Sequence, residues 1–75
     1  MKENLDKLTV LIVNDVIDPN DFYHISVTQY AIRLQGEVNF DVMQKYKESG
    51  FKFSINDESD SLDAVLDNLN IIFKF

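Results

Sequence analysis

Cysteine is absent from the 75 residues of this chain. Without cysteine there is no disulfide framework and no thiolate zinc site, so a reducing, intracellular compartment is the simpler expectation. Glycine-rich phosphate loops and basic patches interleaved with aromatics are also missing, which argues against nucleotide hydrolysis and single-strand nucleic-acid binding. No apolar run approaches the length of a membrane span, and charged residues occupy the N-terminus where a signal peptide needs an apolar segment. We therefore expect a cytoplasmic protein.

Basic residues are too few to balance the acidic ones. The chain has 7 basic and 13 acidic residues and a formal net charge of −6. This charge repels nucleic-acid phosphates and anionic membranes, so direct binding to either is not expected, whereas a basic protein partner would be attracted. Ordinary soluble proteins carry acidic surfaces of this size as well. The scarcity of Arg, Ala, Gly and Pro beside abundant Asn, Ile, Lys and Phe is typical of low-GC bacteria and their phages.

The apolar content is sufficient for a folded core. Hydrophobic residues make up 45% of the chain, and the aromatics comprise six Phe and three Tyr. The length suits a single globular domain over residues 1–75 with one thin core. Such a core seldom supplies more than about 3 to 5 kcal/mol without disulfides, metals or a partner. A homo-oligomer is therefore one of our expectations.

The first half of the chain predicts a helix followed by extended structure. Apolar spacing indicates an amphipathic helix from Asn4 to Ile17, with Asn4 as its N-cap and a break at Asp18-Pro19-Asn20-Asp21. Residues 22–35 alternate in polarity, but the phase shifts at Thr28-Gln29. A tight turn between two short strands would explain the shift, yet Thr-Gln is poor turn chemistry, which favours a β-bulge in one long strand.

A second helix is predicted between Gly36 and Gly50. Asn39 or Asp41 suits its N-cap, and Gly50 suits a left-handed stop followed by a hydrophobic contact from Phe51. On this helix Phe40, Met43 and Tyr46 share one face. A strand with alternating Phe51, Phe53 and Ile55 is expected after it.

The last third of the chain is ambiguous at residues 61–69. Their apolar positions fit a short helix, which we favour, and also fit a strand that turns at Asp67-Asn68. Residues 70–75 predict a final strand in which Ile71, Phe73 and Phe75 share a face. The prediction is an α+β fold with two short helices, or three if 61–69 is helical, on one face of a small, mainly antiparallel sheet of three to four strands.

An acidic face is the first candidate surface for binding a partner. Its residues are Asp57, Glu58, Asp60, Asp63 and Asp67. These carboxylates would suit a basic groove on a partner protein. A calcium loop also uses several carboxylates, but Ser61 stands where an EF-hand loop requires glycine and Asp67 replaces its bidentate glutamate. No metal site is predicted.

Aromatic residues beside a strand edge form the second candidate surface, which comprises Phe22, Tyr23 and Tyr30. Exposed aromatics anchor protein interfaces, and an edge strand can recruit a partner or pair with its twin, although the core competes for Phe22. His24 and Ser26 share a strand face, as a base and a nucleophile would, but such a pair is more often solvated. No catalytic residue and no cofactor is predicted.

The sequence therefore predicts a small, acidic, non-enzymatic protein-binding module. We expect an accessory or inhibitory protein of a phage or mobile element that binds a host protein stoichiometrically in the cytoplasm of a bacterial or phage-infected cell. The alternative is a small homo-oligomeric structural protein that assembles through an exposed strand edge.

Overall fold

The computed structural model describes residues 1–75 and has an α+β fold with two α-helices and five strands. In chain order the elements are α1 (Lys2–Val13), a 3₁₀ turn (Pro19–Asp21), β1 (His24–Val27), β2 (Ile32–Glu37), α2 (Phe40–Glu48), β3 (Lys52–Asn56), β4 (Ser61–Leu66) and β5 (Leu69–Lys74). The predicted class is confirmed, although the sheet has more than the three to four strands expected. Neither helix has the length and apolarity needed to cross a membrane.

The strands form one mixed sheet in the order β1-β2-β5-β4-β3. β2 and β5 run parallel at its centre, and the other three pairings are antiparallel. Both helices pack on one face, so the other face of the sheet is open. The core consists of Leu8, Ile17, Ile32, Leu34, Tyr46, Phe51, Ala64, Leu69, Ile71 and Phe73.

The first helix ends at Val13 rather than at the predicted Ile17. Asp15 adopts a left-handed conformation with φ 59°, and the N–H of Val16 donates to the carbonyl of Leu11. This is the hydrogen-bond pattern of a left-handed helix stop, which Asp tolerates better than most residues other than glycine. The prediction was wrong because the apolar spacing continues past the residue that reverses the backbone.

Asn4 lies inside α1 and is not its N-cap. Its side chain is buried, and its Nδ2 donates to the carbonyl of Thr28 at 2.7 Å. Its Oδ1 accepts from Nδ2 of Asn68 at 2.8 Å, while Lys7 donates to Oδ1 of Asn68. Asn4 therefore ties the start of α1 to two turns at one end of the sheet.

Residues 22–35 contain two strands and a turn instead of one bulged strand. The backbone turns around Thr28, whose Oγ1 accepts hydrogen bonds from the N–H groups of Tyr30 and Ala31. The N–H of Thr28 donates to the carbonyl of Ala31 at 2.9 Å. The favoured bulge is wrong, and the alternative, a turn between two short strands, is confirmed. Thr28-Gln29 suits a two-residue turn poorly, but the turn spans residues 28–31 and the hydroxyl of Thr28 accepts its hydrogen bonds.

Residues 61–69 form a hairpin, not the helix that we favoured. β4 and β5 pair from Ser61 to Lys74, and Asp67 in the turn has φ 53°. The helical spacing was misleading because the alternating Leu62, Ala64 and Leu66 pack beside the buried positions of β5. The weighed alternative, a turn at Asp67-Asn68, is confirmed.

The limits of α2 follow the prediction closely. Oδ1 of Asn39 accepts from the N–H of Val42 at 3.2 Å, and Gly50 has φ 104°. The N–H of Phe51 donates to the carbonyl of Tyr46 at 3.1 Å, and their rings pack edge to face with centroids 5.7 Å apart. Phe51 thus makes the hydrophobic contact that accompanies a left-handed helix stop.

Gly36 lets the segment before β1 cross close to the sheet. A Cβ at this position would lie 2.8 Å from the carbonyl oxygen of Asp21 and 3.3 Å from the ring of Phe22. Phe22 instead packs near Phe73, the neighbour of Gly36 on β5, with ring centroids 6.4 Å apart. The missing side chain therefore makes room for an aromatic ring.

We expect Gly36→Ala to lower the free energy of unfolding by about 1 to 3 kcal/mol, because the new methyl group must displace backbone atoms in a packed region. Urea denaturation measures the change. Asp6→Ala, at an exposed position of α1, is the control and should stay within about 0.5 kcal/mol of wild type. Equal stability of the two variants would contradict the close contact at Gly36.

Candidate functional site

The buried side chain of Tyr46 fixes the segment that precedes β1. Its hydroxyl accepts from the N–H of Asp18 at 3.1 Å and donates to Oδ2 of Asp21 at 2.9 Å. Lys45 forms a salt bridge with the same carboxylate. The ring of Phe22 packs on Tyr46 with centroids 5.5 Å apart. This network holds the chain in place just before it reaches Tyr23.

Tyr23 then lies at the end of the sheet where β2 and β5 both finish. Together with Glu37, Val38, Lys74 and Phe75 it lines an open depression of about 400 Å³. The side chains of Tyr23 and Phe75 are 61% and 76% exposed. The N–H of Val38 donates to the carbonyl of Lys74 at 3.0 Å, which keeps the two strand ends together. We call this site the sheet-end depression.

An acidic turn at residues 57–60 borders the sheet-end depression. The N–H of Phe75 lies 3.4 Å from the carbonyl oxygen of Asp60, and Nζ of Lys74 donates to the carbonyl of Ser59 at 3.0 Å. The turn also carries Asp57 and Glu58, which are exposed. The structure thus brings Tyr23, from the predicted aromatic surface, to the same end of the sheet as three carboxylates from the predicted acidic face.

The other two predicted acidic residues lie elsewhere. Asp63 is on the open face of β4, where its carboxylate accepts from the hydroxyl of Ser61 at 3.1 Å and from Nδ2 of Asn56 at 3.3 Å. Asp67 is in the turn at the opposite end of β4. The five carboxylates therefore do not form one continuous face, because a strand separates them where a helix would have grouped them.

The predicted aromatic surface is also divided. β1 lies at the edge of the sheet, but Phe22 is half-buried against Tyr46 and Phe73. Tyr30 is exposed in the turn at the far end of β1 from Tyr23. Of the three residues, Tyr23 alone reaches the sheet-end depression.

His24 and Ser26 lie side by side on the open face of β1. Their neighbours on β2 are Gln35 and Arg33. No group of three or more histidine and acidic side chains is placed to hold a metal ion.

Four residues of the sheet-end depression were missed by the sequence analysis, namely Glu37, Val38, Lys74 and Phe75. Phe75 was expected to share the buried face of Ile71 and Phe73, but it lies beyond the end of β5 and is exposed. The parallel pairing of β2 with β5 brings these strand ends together, and the local sequence pattern does not predict that pairing.

The chemistry of the sheet-end depression suits a cationic side chain. Exposed aromatic rings attract ammonium and guanidinium groups through their faces, and carboxylates bind the same groups by charge-assisted hydrogen bonds. Glu37 lines the depression, the acidic turn borders it, and the ammonium of Lys74 already binds a backbone carbonyl.

A second exposed feature is an apolar groove between α2 and the β3–β4 hairpin. Its lining residues are Phe40, Met43, Gln44, Lys47, Phe53 and Leu62, and its volume is about 260 Å³. Phe40 was expected to be buried with Met43 and Tyr46, but it is 76% exposed. Ile55, beside Leu62 on the same face of the sheet, is 72% exposed. We call the six lining residues the α2–β3 groove; Ile55 lies beside it.

Comparison of the chain with protein-family models, with curated proteins and with solved structures finds no match.

Ionisation of the Tyr46 hydroxyl makes the free energy of unfolding depend on pH in the alkaline range. Burial raises the pKa of this phenol above its ordinary value of about 10, the bond from the N–H of Asp18 lowers it, and the carboxylate of Asp21 raises it. The unfolded chain therefore loses this proton at a lower pH than the folded protein. The protonated hydroxyl contributes fully to the free energy of unfolding below about pH 10, and this contribution is lost as pH rises above that value.

We expect Tyr46→Phe to lower stability near pH 7 by about 1 to 2 kcal/mol, because it removes two buried hydrogen bonds. The variant should also lose less stability than wild type between about pH 10 and pH 12. Denaturant titrations across this range provide the measurement. If the two proteins lose stability in parallel above pH 10, the alkaline dependence does not come from Tyr46.

Proposed function

We propose that this protein is a small, acidic, non-enzymatic binding module that holds a basic segment of a partner protein at the sheet-end depression. The observation that carries the proposal is the meeting of two exposed aromatic side chains, Tyr23 and Phe75, with Glu37 and the acidic turn at one end of the sheet. An arginine or lysine of the partner would pack on the rings and pair with the carboxylates.

The long-range charge supports the same kind of partner. A net charge of −6 attracts basic surfaces and repels phosphate-rich ones, so it speeds association with a basic protein. Exposed aromatics at the centre of a surface patch are the residues that most often dominate binding energy. Charge would therefore bring the partner in, while Tyr23 and Phe75 would hold it.

Binding without catalysis suits the rest of the molecule. The single histidine is exposed on an edge strand, and the sheet-end depression contains no nucleophile held against a base. The size and composition support an accessory or inhibitory protein of a phage or mobile element that acts in the cytoplasm of its host by stoichiometric binding.

Affinity capture from lysate of the native host, quantified by mass spectrometry, tests the proposal with two variants. Tyr23→Ala removes an anchor, and Asp57→Lys with Glu58→Lys reverses the acidic turn. We expect each to reduce the recovery of a stoichiometric partner at least about tenfold, which corresponds to about 1.4 kcal/mol of binding free energy.

The matched control is Asp6→Lys with Glu48→Lys, which reverses two exposed carboxylates on the helices. Each pair of substitutions adds four charges, so both variants go from −6 to −2. The control should retain the partner. Equal loss in both double variants would mean that net charge alone attracts the partner, and full retention by Tyr23→Ala would rule out the sheet-end depression.

A further inference from the structure

β3 is an edge strand of the sheet, and one of its sides has no neighbouring strand. An exposed strand edge offers unpaired N–H and C=O groups to another strand unless charge, proline or a bulge protects it. β3 contains no proline, and its one charged residue, Lys52, points to the open face. On the other face lie Phe53 and Ile55, beside the α2–β3 groove.

The hydrogen-bond pattern of the sheet shows which groups of β3 are free. Ile32 donates to the carbonyl of Asn68, and Val38 donates to that of Lys74, so the even-numbered residues of β5 bond to β2. Because bonding direction alternates along each strand, the odd-numbered residues of β5 bond to β4, and the odd-numbered residues of β4 bond to β3. The N–H and C=O groups of Phe53 and Ile55 therefore point outward.

These outward groups are self-complementary. A two-fold axis beside Ser54 would set two copies of β3 antiparallel, with Phe53 of one copy opposite Ile55 of the second copy. Both residues have outward N–H and C=O groups, so each such pair can exchange two hydrogen bonds. Ser54 would then face Ser54 of the second copy as a non-hydrogen-bonded pair. The result is one continuous sheet across the two copies.

The side chains fit the same arrangement. In the paired sheet Ile55 of the second copy lies next to Phe53, which lines the α2–β3 groove. The exposed Ile55 of each copy would thus enter the groove of the other, together covering Phe40 and Met43. Burial of these apolar side chains supplies the driving force that strand pairing alone lacks.

The charges along β3 also match across the axis. Lys47 in the last turn of α2 and Lys52 lie near the start of β3, whereas Asp57 and Glu58 follow its end. Antiparallel pairing places the basic end of one copy beside the acidic end of the other. A parallel arrangement would set like charges together, which is unfavourable.

We propose that a second copy of this chain binds at the edge of β3 and forms a two-fold symmetric dimer with the α2–β3 groove filled by Ile55 of each copy. This goes beyond the proposed function, because the sheet-end depression lies at the ends of β2 and β5 and remains open in the dimer. The core is thin, with ten buried apolar residues, so the burial of more apolar surface in a dimer would add to the stability of the chain.

A cysteine cross-link tests the axis directly, since the chain has no cysteine of its own. In a non-hydrogen-bonded antiparallel pair the Cα atoms lie about 4.5 Å apart, within the range that a disulfide spans. We expect purified Ser54→Cys to form a covalent dimer on incubation with oxidised glutathione, which is reduced as the disulfide forms. Ser26→Cys, at the equivalent place in the other edge strand β1, is the matched control and should remain monomeric on a non-reducing gel.

Sedimentation equilibrium of the cysteine-free protein tests the dimer itself. We expect a concentration-dependent dimer whose dissociation constant rises at least about a hundredfold in Ile55→Lys, because two copies of the side chain leave the interface. Val10→Lys, an equal change at an exposed site of α1, should dimerise as wild type does. Circular dichroism of both variants checks that the fold is retained.

Three outcomes would overturn the proposal: a wild-type monomer at every concentration, a cross-link through Ser26→Cys with none through Ser54→Cys, or a dimer that survives Ile55→Lys. Tyr23→Ala and Ile55→Lys separate the two proposals, whereas charge reversal of the acidic turn, which lies near both surfaces, does not. Tyr23→Ala should lose the partner and keep the dimer, whereas Ile55→Lys should lose the dimer and keep the partner.

Discussion

The parallel pairing of β2 with β5 holds this molecule together. β2 belongs to a unit formed by α1 and the β1–β2 hairpin, and β5 ends the meander of β3, β4 and β5. The pairing runs from Ile32 beside Leu69 to Glu37 beside Lys74. In both strands the fully buried residues alternate and face the helices, so a slip of one residue would turn these core residues to the open face. Register and core packing are therefore specified together.

The sheet-end depression is a consequence of that pairing. Parallel strands finish at the same edge of a sheet, so the residues after β2 and β5 become neighbours although they are far apart in the chain. Gly36 allows a third segment to join the residues that follow β2 and β5. Because Gly36 has no side chain, the segment fixed by Tyr46 passes close to the sheet and places Tyr23 at the depression. The surface is thus built by the fold as a whole and by no single loop.

Local signals predicted the parts of this fold that local physics decides. The Asn39 cap, the Gly50 stop and the break at Pro19 each depend on the conformation of a few neighbouring residues. Long-range pairing decided the rest: residues 61–69 become a hairpin because β5 supplies a buried neighbour, although their spacing also fits a helix. Strand order leaves no trace in spacing or composition. The site could therefore be predicted only as separate residues, such as Tyr23 and Asp60, and not as one surface.

The strand order also bears on how the chain folds. The β1–β2 hairpin and the β3–β4–β5 meander can each form from contacts between residues close in sequence. Their docking must bring together Ile32 and Leu69, which are 37 positions apart (69 − 32). The conformational entropy of closing that loop is lost before the core contacts form and compensate for it. We expect the docking of the two units to be the slow step of folding. Until it occurs, the edges of β2 and β5 both stand open, and the unfinished chain is at its most prone to aggregate.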